Sequence, residues 1–121
     1  MQKKIYYLDT CKTCQRVIKE LGGGAGFEFQ NIKEEKITEE QVDALKESVG
    51  SYEALFSRRA MKYRSMGLNN QSLTEEDYRR LILEEYTFLK RPVVVIGKEI
   101  FVGSAKKNIE AIKARMNELE P

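Results

Sequence analysis

Apolar and polar residues follow two patterns in this chain that are typical of β-strands. Continuous apolar runs predict buried strands at residues 4–8 and 93–96, and the second run, Val-Val-Val-Ile, is strongly β-branched. Strict alternation of apolar and polar residues predicts a half-buried strand at residues 27–32. Because a Gly-Lys turn follows residue 96, residues 99–102 are expected to return as the second arm of a hairpin.

Helical spacing of apolar residues, together with start and stop signals, predicts a series of helices between and after these strands. A glycine run ends the first helix, and Thr38 with Gln41 forms a capping-box pattern at the start of the second. The region that follows is broken into short helical pieces, and the last helix carries a buried stripe of Ile109, Ile112 and Met116. The predicted helical segments are 12–21, 38–49, 51–68, one starting at 72–77, and one opening at Gly103-Ser104.

This order of elements, β-α-β, then helices, then β-β-α, predicts an α/β fold. The β-α-β unit requires a parallel strand pair with a right-handed crossover, and the closing hairpin adds antiparallel strands. We therefore expect a thioredoxin-like, three-layer α/β/α arrangement with a small mixed sheet. The length of 121 residues suits one domain, 1–121, with a helical insert at about 38–88.

Composition narrows the classes of function. The net charge of +2, with both signs intermixed, argues against nucleic-acid binding driven by bulk charge. No apolar run approaches the length of a membrane span or a signal peptide, so we expect a cytoplasmic protein with no membrane association. The chain has no histidine and only two cysteines, so no metal site is expected.

Those two cysteines form the chemically most informative motif, Cys11-Lys12-Thr13-Cys14. The motif follows a predicted strand and opens a predicted helix, where free backbone N–H groups and the helix dipole favour thiolate over thiol. In the cytoplasm, a lone CxxC pair is more often redox-active or metal-binding than a structural disulfide. The alternative is a pair of inert, buried cysteines that serve only as small core residues.

Three stretches together resemble the arsenate reductase (ArsC)/Spx family of thioredoxin-fold proteins. CxxC alone is a weak signal, but its combination with a basic helical insert and a late Arg-Pro before an apolar strand is fairly specific. The matching stretches are residues 6–14 (Tyr-Tyr-Leu-Asp-Thr-Cys-Lys-Thr-Cys), 55–68 (Leu-Phe-Ser-Arg-Arg-Ala-Met-Lys-Tyr-Arg-Ser-Met-Gly-Leu) and 90–96 (Lys-Arg-Pro-Val-Val-Val-Ile), followed by Val102-Gly103.

The resemblance implies roles for individual residues. Cys11 is implied as the reactive cysteine, and Arg91–Pro92 as a cis peptide bond facing the thiol. Arg59, with Arg58 as the alternative, is implied as a second guanidinium that would join Arg91 in binding an oxyanion, since arginine presents paired donors to such groups. Thr13 is a further candidate for the anion site, and the alternative is that its hydroxyl only supports the first helical turn.

The chain also departs from the glutathione-dependent arsenate reductases that it resembles. Those enzymes usually have serine at the position of Cys14. They also carry a third arginine where this chain has Gly103-Ser104-Ala105, followed only by Lys106 and Lys107. These differences argue against arsenate as the physiological substrate.

The resemblance leaves two main functions open. The first is an arsenate reductase-like thiol–disulfide oxidoreductase with Cys11 as nucleophile and Cys14 as resolving thiol. It would act on a small oxyanion or disulfide as a monomer without bound cofactor, and glutathione, glutaredoxin or thioredoxin would supply electrons. The second is an Spx-like redox-sensing regulator that binds the RNA polymerase alpha subunit. A non-catalytic relative with a fortuitous dithiol is the third possibility.

Overall fold

The computed structural model describes residues 1–119, so Glu120 and Pro121 of the predicted domain lie outside the described residues. Within residues 1–119 the chain forms four strands and five α-helices. The elements are β1 (Lys3–Tyr7), α1 (Lys12–Glu20), β2 (Glu28–Asn31), α2 (Glu39–Val49), α3 (Met61–Ser65), α4 (Glu75–Glu84), β3 (Val93–Ile96), β4 (Glu99–Val102) and α5 (Lys106–Leu119).

The chain divides into two compact units. The first consists of Met1–Glu35 and Arg91–Pro121, and the second is the intervening segment Lys36–Lys90. The prediction of one domain with an insert at about 38–88 stays a prediction. None of the helices among residues 1–119 has the length and apolar character needed to cross a membrane.

The first unit contains a four-stranded mixed sheet in the order β2-β1-β3-β4. Strand β1 runs parallel to β2 and antiparallel to β3, and β3 pairs with β4 as an antiparallel hairpin. The α/β fold class with a mixed sheet is therefore confirmed. Strand β1 begins and ends one residue earlier than the predicted segment 4–8, because Lys3 already pairs with Ile96.

Helices α1 and α5 pack on the same core of the first unit. Ile5, Val94 and Ile96 of the sheet form one cluster with apolar residues of both helices. The helix residues in this cluster are Val17 and Leu21 at α1, and Ile109 and Ile112 on α5. Met116 packs against the cluster and is only partly buried, so the predicted stripe on the last helix is confirmed with Met116 at its margin.

The second unit is built from helices whose ends follow the sequence signals. Thr38 accepts a hydrogen bond from the backbone N–H of Gln41, while the Gln41 side chain accepts one from the Thr38 N–H, which completes the predicted capping box. Gly50 ends α2 at φ 97°, a conformation that favours glycine. Thr74 and Asp77 form the same box at α4, so this helix begins later than Ser72.

Phe56 is the centre of an aromatic cluster in the second unit. Its ring is fully buried and lies 4.9 Å from the ring of Tyr78, 5.0 Å from Phe88 and 6.0 Å from Tyr63, centroid to centroid. Tyr86 lies outside α4, in a short 3₁₀ turn over Tyr86–Phe88. This turn brings Phe88 into the cluster.

Candidate active site

The loop that joins β1 to α1 presents Cys11 at the start of the helix. Cys11 is the N-cap residue of α1 and has extended backbone angles, φ −85° and ψ 113°. Its backbone N–H donates to the carbonyl of Leu8 at 3.0 Å, and its own carbonyl accepts from the N–H of Gln15 at 3.0 Å. The side chain therefore lies at the positive end of the helix dipole, where a thiolate is stabilised.

The Cys11 thiol is partly buried, and its pKa is lowered overall. Burial, the largest single cause, raises the pKa, but hydrogen bonds from the backbone and thiol of Cys14 act in the opposite direction. The positive charge of Arg91 and the backbone N–H of Thr13 lower the pKa further. Cys11 is therefore the more acidic and more accessible of the two thiols.

Cys14 has the opposite properties. It lies one helical turn further on and is fully buried. Burial raises the pKa of its thiol to about 12, and the neighbouring Cys11 charge contributes in the same direction. A hydrogen bond from the backbone of Leu8 and the charge of Arg91 reduce this effect without reversing it. Cys14 is thus kept as a neutral thiol next to an activated one.

Arg91 and Pro92 belong to the same unit as the dithiol. The Arg91–Pro92 peptide bond is cis, as the sequence resemblance predicted. Pro92 is buried, and its carbonyl accepts a hydrogen bond from the N–H of Gly103 at 2.9 Å. Arg91 is half-buried and acts electrostatically on both thiols. One of the two predicted guanidinium groups is therefore near Cys11.

Arg59 lies in the second unit, in an exposed turn before α3. Its neighbour Arg58 is engaged within that unit, where its Nη2 atom lies 2.7 Å from the Glu53 carboxylate and 2.9 Å from the Tyr78 hydroxyl. The contacts of Arg58 make it the less suitable of the two for binding a ligand. The role of Arg59 at the anion site stays a prediction.

Thr13 contributes to the site through its main chain, since its backbone N–H stabilises the Cys11 thiolate. The threonine side chain is exposed. Among residues 1–119, no group of three or more cysteine, aspartate or glutamate residues has a geometry that could hold a metal ion.

The sequence did not indicate a role for Asp9 and Gln15, which are joined by a hydrogen bond across the loop that carries Cys11. The Gln15 Nε2 atom donates to the main-chain carbonyl of Asp9 at 2.6 Å. Gln15 lies four residues after Cys11 and therefore on the same side of the helix. The spacing of four residues from Cys11 to Gln15 can be read from the sequence, but the hydrogen bond from Gln15 to the Asp9 carbonyl cannot.

A comparison of the chain with models of protein families gave a match. The model of the ArsC family matches residues 6–112, a range that includes Cys11, Cys14, Arg59, Arg91 and Pro92. No match was found among curated proteins.

Several solved structures share the fold. A protein from Bacteroides fragilis described as ArsC-family-related is 23% identical, with a TM-score of 0.79, over 93% of this chain and 100% of that one. An arsenate reductase (ArsC) related protein from Brucella melitensis is 26% identical, with a TM-score of 0.71, over 92% and 93%. An arsenate reductase from Vibrio cholerae is 19% identical, with a TM-score of 0.71, over 93% and 97%.

Proposed function

Since the chain belongs to the ArsC family, we propose that it is a thiol–disulfide oxidoreductase in which Cys11 is the nucleophile and Cys14 the resolving thiol. The observation that carries this proposal is the opposite shift of the two pKa values within one helical turn. The lowered pKa supplies Cys11 as a thiolate nucleophile, and its hydrogen bond with the Cys14 thiol places the resolving group next to the sulfur that would carry the mixed disulfide.

The reaction proceeds in two exchanges. The Cys11 thiolate attacks one sulfur of a disulfide, forms a mixed disulfide and expels the other half as a thiolate, which takes up a proton from water. Cys14 then loses its proton and attacks the Cys11 sulfur, which releases the second half as a thiol. The protein is oxidised to a Cys11–Cys14 disulfide, and the substrate disulfide is reduced by two electrons to two thiols.

Formation of the mixed disulfide itself prepares Cys14 for the second step. The negative charge on Cys11 is one of the causes that raise the pKa of Cys14. Because a sulfur in a disulfide carries no such charge, this contribution disappears once Cys11 has reacted. The resolving thiol is thus held neutral before the attack and becomes easier to ionise after it.

A small oxyanion such as arsenate is the second substrate class. The Cys11 thiolate would attack arsenic and displace one protonated oxygen as water, and the Arg91 guanidinium would hold remaining oxygens through paired hydrogen bonds. Cys14 would then attack the Cys11 sulfur and break the sulfur–arsenic bond, whose electron pair stays on arsenic. Arsenate is thereby reduced by two electrons to arsenite, and the same Cys11–Cys14 disulfide forms. Glutathione, glutaredoxin or thioredoxin would then return the protein to its dithiol form.

Trapping of the mixed disulfide tests the proposal. The reduced protein and the variants Cys11→Ser and Cys14→Ser are mixed with a small disulfide, and the products are identified by intact-mass and peptide mass spectrometry. We expect the unmodified protein to form an internal disulfide, Cys14→Ser to keep a stable adduct on Cys11, and Cys11→Ser to stay unmodified. Rapid adduct formation on Cys14 in the Cys11→Ser variant would contradict the assignment.

The regulator function predicted from the sequence is tested with the same preparations. Reduced and oxidised protein are immobilised separately and incubated with purified RNA polymerase alpha subunit. Disulfide reduction without alpha-subunit binding supports the oxidoreductase, and redox-dependent binding without turnover supports the regulator instead.

A further inference from the structure

A groove of about 600 Å³ lies along α1 in the first unit. Asp9 and Gln15, which lie two residues before and four residues after Cys11 in the chain, form one end of it, whereas neither cysteine lines it. Gln15 is also bonded to the backbone of both Asp9 and Cys11. The groove therefore starts beside the N-terminal turn that carries the dithiol, and its volume is in the range of sites for small molecules.

The floor of the groove is aromatic. Tyr7 of β1 and Phe29 of β2 both line it, and their rings meet edge to face at 5.5 Å with an angle of 74°. Phe29 is 37% exposed, so part of its ring is accessible to a ligand. A Cβ atom at Gly24 would lie only 2.6 Å from Cζ of Phe29, so this glycine leaves the space in which the ring sits.

The helix forms the opposite wall. Gln15, Ile18 and Lys19 lie at spacings of three and four residues, so they share one side of α1, and Gly22 follows the end of the helix. Gly22 and Gly23 close the far end, and no atom lies within 4 Å of where a Cβ would stand on either. The groove is therefore an open, mainly apolar channel along α1, from Asp9 and Gln15 at its start to the glycine turn.

Opposite charges stand at the two ends. Asp9 lies at the end next to Cys11, and Lys19 lies near the far end; both side chains are exposed. Lys19 lies eight positions after Cys11, which corresponds to a rise of about 12 Å along the helix. Within the groove, an anionic group beside Asp9 is disfavoured, whereas one beside Lys19 is attracted.

From this arrangement we propose that the groove binds one arm of a low-molecular-weight disulfide substrate, an arm that carries an aromatic ring and ends in a carboxylate. The ring packs on Tyr7 and Phe29, the carboxylate pairs with Lys19, and the disulfide sulfur faces Cys11. This inference rests on the proposed function, because it names the substrate class for the same thiol chemistry. The arm in the groove remains attached to Cys11 after the first exchange and leaves as a thiol when Cys14 attacks.

Three symmetrical dialkyl disulfides test the inference: bis[2-(4-carboxyphenyl)ethyl] disulfide, bis(2-phenylethyl) disulfide and bis(2-carboxyethyl) disulfide. All three release primary alkyl thiols, so their intrinsic reactivity is similar. Rates are measured in single turnovers of the pre-reduced protein, which requires no external reductant. We expect the first substrate to react about tenfold faster or more than the third, since only its ring and carboxylate fit the groove.

Two variants, each with a matched control, test which groove residues cause this preference. Lys19→Glu reverses the charge at the far end, and Lys113→Glu makes the same change on an exposed position of α5. Phe29→Ala removes the aromatic floor, and Phe27→Ala removes a ring from the same segment outside the groove. Lys19→Glu is expected to slow only the aromatic dicarboxylate, by about tenfold. Phe29→Ala is expected to slow the reaction of both aromatic substrates. The control variants Lys113→Glu and Phe27→Ala are expected to slow neither reaction.

Direct binding supplies a readout that does not depend on the reaction. The sulfur-free arm, 4-ethylbenzoate, is titrated into the reduced protein and followed by NMR. Chemical-shift changes at Tyr7, Ile18 and Phe29 that are absent in the Lys19→Glu variant support binding in the groove. Reduction of all three disulfides at equal rates, without perturbation of these signals, overturns this inference alone. Failure to reduce even bis(2-carboxyethyl) disulfide overturns the proposed function.

Discussion

The Cys11 and Cys14 thiols lie one helical turn apart, and their pKa values are shifted in opposite directions. Burial is the largest influence on the pKa of each thiol, but at Cys11 the hydrogen bonds from Cys14, the charge of Arg91 and the Thr13 N–H together outweigh it. The buried cysteine thus stabilises the thiolate of its more exposed neighbour and is itself kept neutral. This relationship makes the pair asymmetric, and the first two predictions below follow from it.

The pH dependence of alkylation should differ between the two cysteines. Because the pKa of Cys11 is lowered, its thiolate is present at lower pH than that of an ordinary cysteine, and its reaction with iodoacetamide should already be rapid near neutral pH. Cys14, with a pKa of about 12, should stay unlabelled until strongly alkaline pH or unfolding. Peptide mapping after timed labelling from pH 5 to 10 measures both. Equal labelling at pH 7 would show that the asymmetry is absent.

Arg91→Gln should raise the pKa of Cys11, because it removes a positive charge that favours the thiolate. The alkylation rate at pH 7 should fall by about three- to tenfold, and Arg91→Lys should recover part of it because the charge is restored. Arg16→Gln is the matched control. Arg16 is on α1 but pairs with Glu20 at 3.5 Å, so its removal should leave the rate unchanged. An equal loss in both variants contradicts a specific role for Arg91.

Arsenate turnover by the unmodified protein should be weak, and Ser104→Arg should increase it. Ser104 lies between Gly103 and the start of α5, and the family resemblance implies a third arginine close to this position in glutathione-dependent reductases. One well-aimed donor to the charge that develops in a transition state is worth about a hundredfold in rate. Ser104→Lys is the control, since an ammonium lacks the planar pair of donors and should give a smaller gain.

The measurement compares arsenate reduction with reduction of a small disulfide in the same preparations. Only the arsenate rate should respond to Ser104→Arg. Efficient arsenate reduction by the unmodified protein would contradict this prediction and would favour arsenate as the substrate.

The capping box at α4 should contribute measurably to stability. Thr74→Ala removes the hydroxyl that accepts from the N–H of Asp77, at a cost of about 1 kcal/mol in the free energy of unfolding. Thr74→Ser keeps that hydroxyl and should cost much less. Urea denaturation followed by circular dichroism measures both variants. A loss of similar size in the two would mean that the threonine methyl, and not the hydrogen bond, is responsible.

Local signals in the sequence determined most of the secondary structure. The apolar run at residues 93–96, the alternation around Phe29 and the threonine-led capping boxes all act over a few residues, so they can be recognised without knowledge of the fold. The order of these elements also constrained the sheet, because a right-handed crossover and a tight hairpin allow few arrangements. The CxxC motif is visible in the sequence itself, and the cis Arg91–Pro92 bond was predicted from the family resemblance.

Only the tertiary structure decided how the two cysteines differ and what surrounds them. Arg91 affects both thiols although it lies 77 or more positions from them in the chain, because the β1–β3 pairing brings these segments into one unit. The burial of Cys14 is likewise a property of the folded chain. The groove of Tyr7, Phe29 and Lys19 likewise requires strands β1 and β2 to pair beneath α1. Local patterns specify elements, whereas burial and electrostatic environment arise from long-range packing, which a single sequence does not display.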